Sequence, residues 1–268
     1  MNQDLEFANY LADLAAGVTM AAFGFGERQS VERKADRTVV TATDQLAERV
    51  IRAAVRAEYP DDGVRGEEDG LAQGGNDRIW VIDPIDGTRM FAEGIPMWTT
   101  LIALRTAGEV VVGVADAPAL GERVTAVRGE GAWSEGRQLH VSSVATLADA
   151  FVLHASVEEF VEEGQLDGLV RLVTSTRGSR GMADAWGHLL VARGAADVLV
   201  EASECFEWDW AATGLILSEA GGAISAVRGG SPTDGCRLLA TNGLLDDQVR
   251  AVLGHGSDTN AARPPISP

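Results

Sequence analysis

Trp80-Val81-Ile82-Asp83-Pro84-Ile85-Asp86-Gly87-Thr88 is the stretch on which the reading of this chain turns. A short apolar strand over 79–82 is predicted to end abruptly at Asp83-Pro84. The proline fixes φ and offers no N–H to a ladder, so both carboxylates are presented at the strand's exit. Gly87 permits a tight turn and a helix can start at Thr88, whose free N–H groups would face the same volume. Carboxylates beside a helix start make a place where divalent cations and a phosphate can coexist. One Asp at such a corner is more often a helix cap. Two of them on a proline-stiffened turn point to a site.

Working outward, two more acidic clusters join the first. Gly66-Glu67-Glu68 lies at the end of a polar segment just upstream, and Trp208-Asp209 opens a helix of apolar residues. Hard oxygen ligands from three segments suit Mg²⁺, which takes carboxylates, waters and phosphate oxygens in octahedral geometry. Zinc is disfavoured because no His or Cys pair has ligand spacing. Glu67 or Asp209 alone would read as a solvated acid or a cap; their weight comes from Asp83 and Asp86.

The chain around these clusters has 268 residues, 46% hydrophobic and 23% charged, which fits one large globular unit or two joined halves. Its net charge of −18 repels phosphate backbones and argues against nucleic-acid binding. Two cysteines, Cys205 and Cys236, argue for a reducing compartment without a disulfide framework. The N-terminus lacks a basic region and no apolar run is long enough for a bilayer, so a cytoplasmic protein without membrane contact is expected. Amphipathic helices are predicted over 4–23 and from Leu46 to before Pro60, with a strand over 37–43 between them. Residues 61–77 read as a loop. Strands follow over 98–105, 110–115 and 123–127, then short strands and helices alternate: strands at 151–154, 197–200 and 238–240, helices near 158–172, 183–193, 209–220 and 244–253. The change of rhythm suggests a first subdomain over 1–141 with most metal ligands and a second over 142–256 that completes the site. A disordered tail is expected over 257–268.

Glu67-Glu68, Trp80-x-x-Asp83-Pro84-x-Asp86-Gly87-Thr88 and Trp208-Asp209 together resemble the three signatures of the inositol monophosphatase superfamily. The likeness runs from the helix before Thr41-Ala42-Thr43-Asp44 to Ala240-Thr241-Asn242-Gly243. Asp184-Ala185-Trp186-Gly187-His188-Leu189-Leu190 is similar to the histidinol-phosphatase-like branch. The resemblance implies a layered αβαβα sandwich of α/β (α+β) class, a homodimer, and two or three Mg²⁺ per site. It implies that Glu67, Asp83 and the Ile85 carbonyl hold one metal, and that Asp83, Asp86 and Asp209 hold a second. Thr88, assisted by Asp44, would orient the attacking water, with Glu67 in the catalytic set. Backbone N–H groups of Gly87 and Thr88 would grip the phosphate, while Glu201 would contact the alcohol half of the substrate. Met90 stands where the family usually has Asn, and Ala183 where the branch prefers Gly.

The function this implies is Mg²⁺-dependent hydrolysis of a small phosphorylated alcohol, with L-histidinol phosphate the best single substrate. Asp184, Glu201, Glu204 and Glu207 would give an acidic pocket suited to an ammonium and an imidazole. An inositol or sugar (bis)phosphate phosphatase is the alternative, with Arg177 or Arg180 binding a second phosphate. Arg171, Arg177 and Arg180 read equally as a solvated helix end. The rival of another class is a non-catalytic protein-binding regulator. His188 on an apolar helix reads as a core histidine. Cys205 has no basic neighbour in sequence to activate it.

Overall fold

The computed structural model describes residues 2–33, 39–182 and 184–254. The chain begins with helix α1 (Gln3–Ala22), capped by the Asn2 side chain. A two-strand ribbon of β1 (Glu32–Arg33) and β2 (Val39–Val40) leads into α2 (Ala42–Glu58). Then come β3 (Gly63–Gly66), β4 (Gly70–Ala72), β5 (Arg78–Asp86), the short helix α3 (Thr88–Ala92), β6 (Thr99–Thr106) and β7 (Glu109–Ala117). Strands β8 (Glu122–Val127), β9 (Gly131–Ser134) and β10 (Arg137–Gln138) complete an eight-stranded sheet of order β10-β9-β8-β7-β6-β5-β3-β4. Among the described residues of this sheet, only β3 and β5 pair in parallel.

The second sheet is built from β11 (Phe151–His154), β12 (Gly178–Gly181), β13 (Val198–Val200), β14 (Ala223–Ala226) and β15 (Leu238–Thr241), in the order β12-β11-β13-β15-β14. Its helices are α4 (Val157–Glu162), α5 (Leu166–Thr174), α6 (Asp184–Ala192), α7 (Glu207–Glu219) and α8 (Asp246–Gly254).

Alternation along the strands assigns the layers. On β5, Trp80 and Ile82 pack with α1 and α2 through Leu11, Ile51 and Val55, while Val81 joins α6 and α7 through Leu189, Leu215 and Ile216. On the far side of the second sheet, Val152, Val198 and Leu239 pack against Phe160, Leu169 and Val249 of α4, α5 and α8. The architecture is therefore α1/α2, sheet, α6/α7, sheet, α4/α5/α8, the αβαβα sandwich that the resemblance implied. Helices α6 and α7 are contributed by the C-terminal half yet form the middle layer on both sheets, which is how Asp209 reaches the N-terminal clusters.

Several sequence expectations need correction. Residues 61–77 are not a plain loop, because β3 and β4 form there despite their polar composition; the parallel ladder to β5 compensates for weak propensity. The 158–172 segment is two helices, broken at Gly164 with φ +66°. The 37–43 strand is confined to Val39–Val40 among the described residues, because Thr41 caps α2 and sends 42–43 into the helix. The strand over 79–82 instead runs to Asp86, with a bulge between Asp83 and Asp86. Strands β9, β10, β12 and β14 were not expected; they are short, and β12 reads Gly-Ser-Arg-Gly, with no apolar alternation to betray it. The expected tail of 257–268 lies outside the described residues.

Candidate metal centre and active site

The bulge in β5 does the work expected of Pro84. It leaves Pro84 and Ile85 out of register with β6, so Asp83 and Asp86 flank the interruption. The Asp83 carboxylate accepts the Ile85 N–H at 3.0 Å, and Thr100 Oγ1 donates to the Pro84 carbonyl at 2.8 Å. Gly87 follows with φ +83°, a conformation that favours glycine, and starts α3. Asp209 arrives on the first turn of α7, where its Oδ2 accepts the Phe206 N–H at 2.6 Å.

Asp83, Asp86 and Asp209 each bring a carboxylate oxygen to within 4.8 Å of the others. Burial pushes the first two well above the usual carboxylate range, with charges of neighbouring acids adding to the shift. Asp209 is pushed up to about 8, chiefly by burial, against the Phe206 hydrogen bond. Glu67 acts on this group from the turn after β3: its charge raises both Asp83 and Asp209. Buried acids that repel one another and offer only hard oxygens fit a divalent cation of the Mg²⁺ class.

Asp44 sits at the third position of α2, almost wholly buried, and accepts the N–H and hydroxyl of Thr41. Thr88 Oγ1 lies 3.2 Å from Asp44 Oδ1 and 3.0 Å from the Ile85 carbonyl. A hydroxyl has one proton. Both neighbours are acceptors, so that proton points at them and the oxygen's lone pairs remain for a water.

On the opposite wall, Asp184 begins α6 with φ +58°. Its N–H donates to Glu201 Oε1 at 3.1 Å, and the next N–H, of Ala185, donates to Asp86 Oδ2 at 2.7 Å. Burial first, then the Glu159 charge, raise Asp184 to about 6, with Arg89 opposing. Glu201 is buried and raised well above its ordinary value by burial and by Asp184. The acidic pair predicted for the substrate side thus adjoins the metal cluster.

His188 is a core residue: burial lowers it to about 4, and its Nδ1 lies 3.0 Å from Thr213 Oγ1. Burial and the Glu201, Asp209 and Asp86 charges hold the Cys205 thiol protonated, which suits its exclusion as nucleophile. The arginines do not gather. Arg180 is exposed on β12 with its guanidinium on the Ser179 carbonyl, Arg177 bonds the Asp149 carbonyl, and Arg171 bonds the Val252 and Leu253 carbonyls. Glu207 turns from the expected pocket to salt bridges with Arg65 and Arg105.

Two residues that support the site were missed. Glu48 is fully buried, 2.7 Å from Arg52 Nε, and its carboxylate accepts the Glu68 and Asp69 N–H groups at 2.8 and 3.0 Å. Arg52 reaches the Val64 and Gly70 carbonyls, so the pair clasps the turn that presents Glu67. A side chain at Gly66 would begin 2.2 Å from Glu48 Oε1, which explains the glycine. The available signal was an i,i+4 acid–base pair beside Ala47, Ile51 and Val55 on the apolar face of α2.

The crowding has a measurable cost without metal. Asp209 keeps its proton in the folded state from its ordinary 3.8 up to about 8, so folding binds protons in that window. The stability this confers is complete at low pH and is lost as pH rises through about 8. The melting temperature in EDTA is therefore expected to be lower at about pH 8.5 than at about pH 5.5. Added Mg²⁺ should raise it more at the higher pH. Equal Mg²⁺ shifts at both pH values would show that these carboxylates are not where the metal binds.

Comparison with known proteins places this geometry. The chain matches the model of the Inositol monophosphatase family over residues 1–256. It is 40% identical over 259 residues to a histidinol-phosphatase of Streptomyces coelicolor, covering 93% of this chain and 96% of that protein. It is 34% identical over 232 residues to a fructose-1,6-bisphosphatase/inositol-1-monophosphatase of Thermotoga maritima, covering 85% of this chain and 88% of that one. The solved structure of a Thermotoga maritima IMPase superposes with a TM-score of 0.85 at 31% identity, covering 94% and 97% of the two chains. A carboxylate cluster at a bulged strand end, a sandwich that delivers Asp209 to it, and a match across nearly the whole length agree: the chain belongs to the inositol monophosphatase family and is a metal-dependent phosphatase.

Proposed function

We propose that the protein is a Mg²⁺-dependent phosphomonoesterase whose substrate is L-histidinol phosphate. The observation that carries the substrate is the wall of half-buried Asp184 and buried Glu201 hydrogen-bonded beside Asp86, an environment suited to a cation next to the phosphate. The 40% identity to a histidinol-phosphatase supports the same choice.

Glu67, Asp83, the Ile85 carbonyl, Asp86 and Asp209 would hold the metal, which supplies charge neutralisation on the attacking and leaving oxygens when bound. The chain's own groups do the rest. The N–H groups of Gly87 and Thr88 hold phosphate oxygens. Thr88 Oγ1, its proton directed to Asp44 and the Ile85 carbonyl, accepts from a water and orients it in line with phosphorus. Asp184 and Glu201 face the ammonium of the leaving alcohol. No side-chain nucleophile is needed, and the protonated Cys205 offers none.

Phosphate release across a panel of histidinol, inositol and sugar phosphates tests the reading; a sugar bisphosphate as the preferred substrate would overturn the histidinol assignment. The bisphosphate alternative is supported by the Thermotoga relative, but it asks Arg177 and Arg180 to leave the carbonyls they now bond. For the water, Thr88→Ala is expected to lower kcat by about 10²-fold with KM nearly unchanged. A phosphorylated enzyme trapped by acid quench would defeat the direct-water scheme.

A further inference from the structure

The proposed metal ligands come from both halves of the chain, Glu67 from the turn after β3 and Asp209 from α7, and an ion pair of Arg65 spans the gap between them. Arg65 stands two residues before Glu67. Arg65 lies in β3, and Glu67 in the turn that directly follows the strand's last residue, Gly66, where its charge acts on both Asp83 and Asp209. Arg65 Nη1 lies 2.7 Å from Glu207 Oε2, and Glu207 stands two residues before Asp209 in the first turn of α7. The second nitrogen of the same guanidinium bonds Asp234, whose other oxygen accepts the Glu207 N–H at 2.9 Å. The guanidinium also lies 5.3 Å from the centre of the Trp208 ring, which stacks on Phe206 at 5.1 Å.

One arginine thus contacts the helix start through Glu207, Trp208 and the Asp234 loop at once. Such a fork holds direction as well as charge, which a lysine could not do. Glu207 is also 3.1 Å from Arg105 Nη1, so its side chain, only 6% exposed, is fixed from two strands of the first sheet. An exposed ion pair would contribute little. This one is mostly shielded and leads directly to two groups whose spacing a metal must find correct.

We propose that Arg65 is a positioning residue for the metal centre, coupling Glu67 to Asp209 through Glu207. This rests on the metal-dependent reading above and adds the device that joins the halves of its site. Partners outside the ligand set commonly set metal affinity by tenfold to a hundredfold.

The test is a double-mutant cycle on the full chain with Arg65→Met, Glu207→Gln and the pair, reading the Mg²⁺ Kd by calorimetry and the melting temperature in EDTA. Each single variant should weaken Mg²⁺ binding by about tenfold or more, and the double should be no weaker than the worse single. At saturating Mg²⁺ the kcat should stay within about threefold of wild type. A lowered melting temperature with Mg²⁺ Kd within about twofold of wild type would make Arg65 merely structural and overturn the proposal. So would single effects that simply multiply in the double. A wild type that binds Mg²⁺ but releases no phosphate from any substrate would defeat the functional reading alone, because the coupling is read by calorimetry.

Discussion

Asp86→Asn is expected to cut turnover by about four orders of magnitude, close to 5.5 kcal/mol of transition-state stabilisation, while the fold persists. The amide keeps an oxygen for the Ala185 N–H at 2.7 Å and the Thr99 hydroxyl at 3.3 Å, so the neighbouring backbone has no reason to move. What disappears is one ionisable carboxylate among crowded acids. In EDTA that loss should help: Asp86 is raised by burial and by the charges of Asp184 and Asp209, and a neutral amide meets neither the cost of burying a charge nor their repulsion. The variant should therefore melt higher than wild type without metal and respond less to Mg²⁺. Turnover near the wild-type level in EDTA or in this variant would mean that the chemistry does not run through the carboxylate cluster. A collapsed near-ultraviolet spectrum would instead mark Asp86 as structural.

The same electrostatics explain why the site could be read before the fold. Asp83-Pro84-x-Asp86-Gly87 is legible because proline and glycine each impose a backbone conformation, whatever the rest of the chain does. The structure adds that the strand continues through the motif as a bulge. Apolar periodicity gave α1, most of α2 and the strands β6, β7 and β8, where burial on one or both faces dominates local choice. It failed where tertiary pairing overrides composition. Strand β3 reads Gly-Val-Arg-Gly and exists because β5 offers it a parallel ladder. Strand β12 exists because β11 needs a neighbour at the sheet edge.

Among site residues the asymmetry has the same origin. Asp83, Asp86 and Asp209 come together within 4.8 Å, and Thr88 bonds Asp44, as their motifs led one to expect. Glu48, Arg52, Arg65 and Glu207 belong to no motif. Their roles depend on which strand face meets which helix, and that is decided only when α7 enters the middle layer. Arg180 shows the converse: its place near Arg171 and Arg177 in sequence allowed a shared site for a second anion, but β12 leaves its side chain exposed at the sheet edge.

Substrate choice should respond most to Asp184. If this carboxylate and Glu201 face an ammonium, wild type should hydrolyse histidinol phosphate far better than inositol or sugar monophosphates, which present neutral hydroxyls. Removing one partner of a desolvated charge pair costs about 2–5 kcal/mol, so Asp184→Asn should reduce kcat/KM for histidinol phosphate by about 30-fold to several thousandfold. Neutral substrates should lose much less, and the preference should shrink accordingly. The variant is a clean probe because the Asp184 backbone, through its N–H to Glu201, is what holds the start of α6, and the substitution leaves that group in place. The Ala185 N–H to Asp86 is likewise retained, so a uniform loss across all substrates would point to damage at the metal centre and not to lost recognition. An unchanged ranking of substrates would sink the cationic assignment while leaving the phosphatase intact, since the proposed hydrolysis rests on Glu67, Asp83, Asp86 and Asp209. Arg177→Ala and Arg180→Ala complete the comparison: both should leave histidinol phosphate turnover near wild type, whereas selective loss on a bisphosphate would transfer the pocket to an anion.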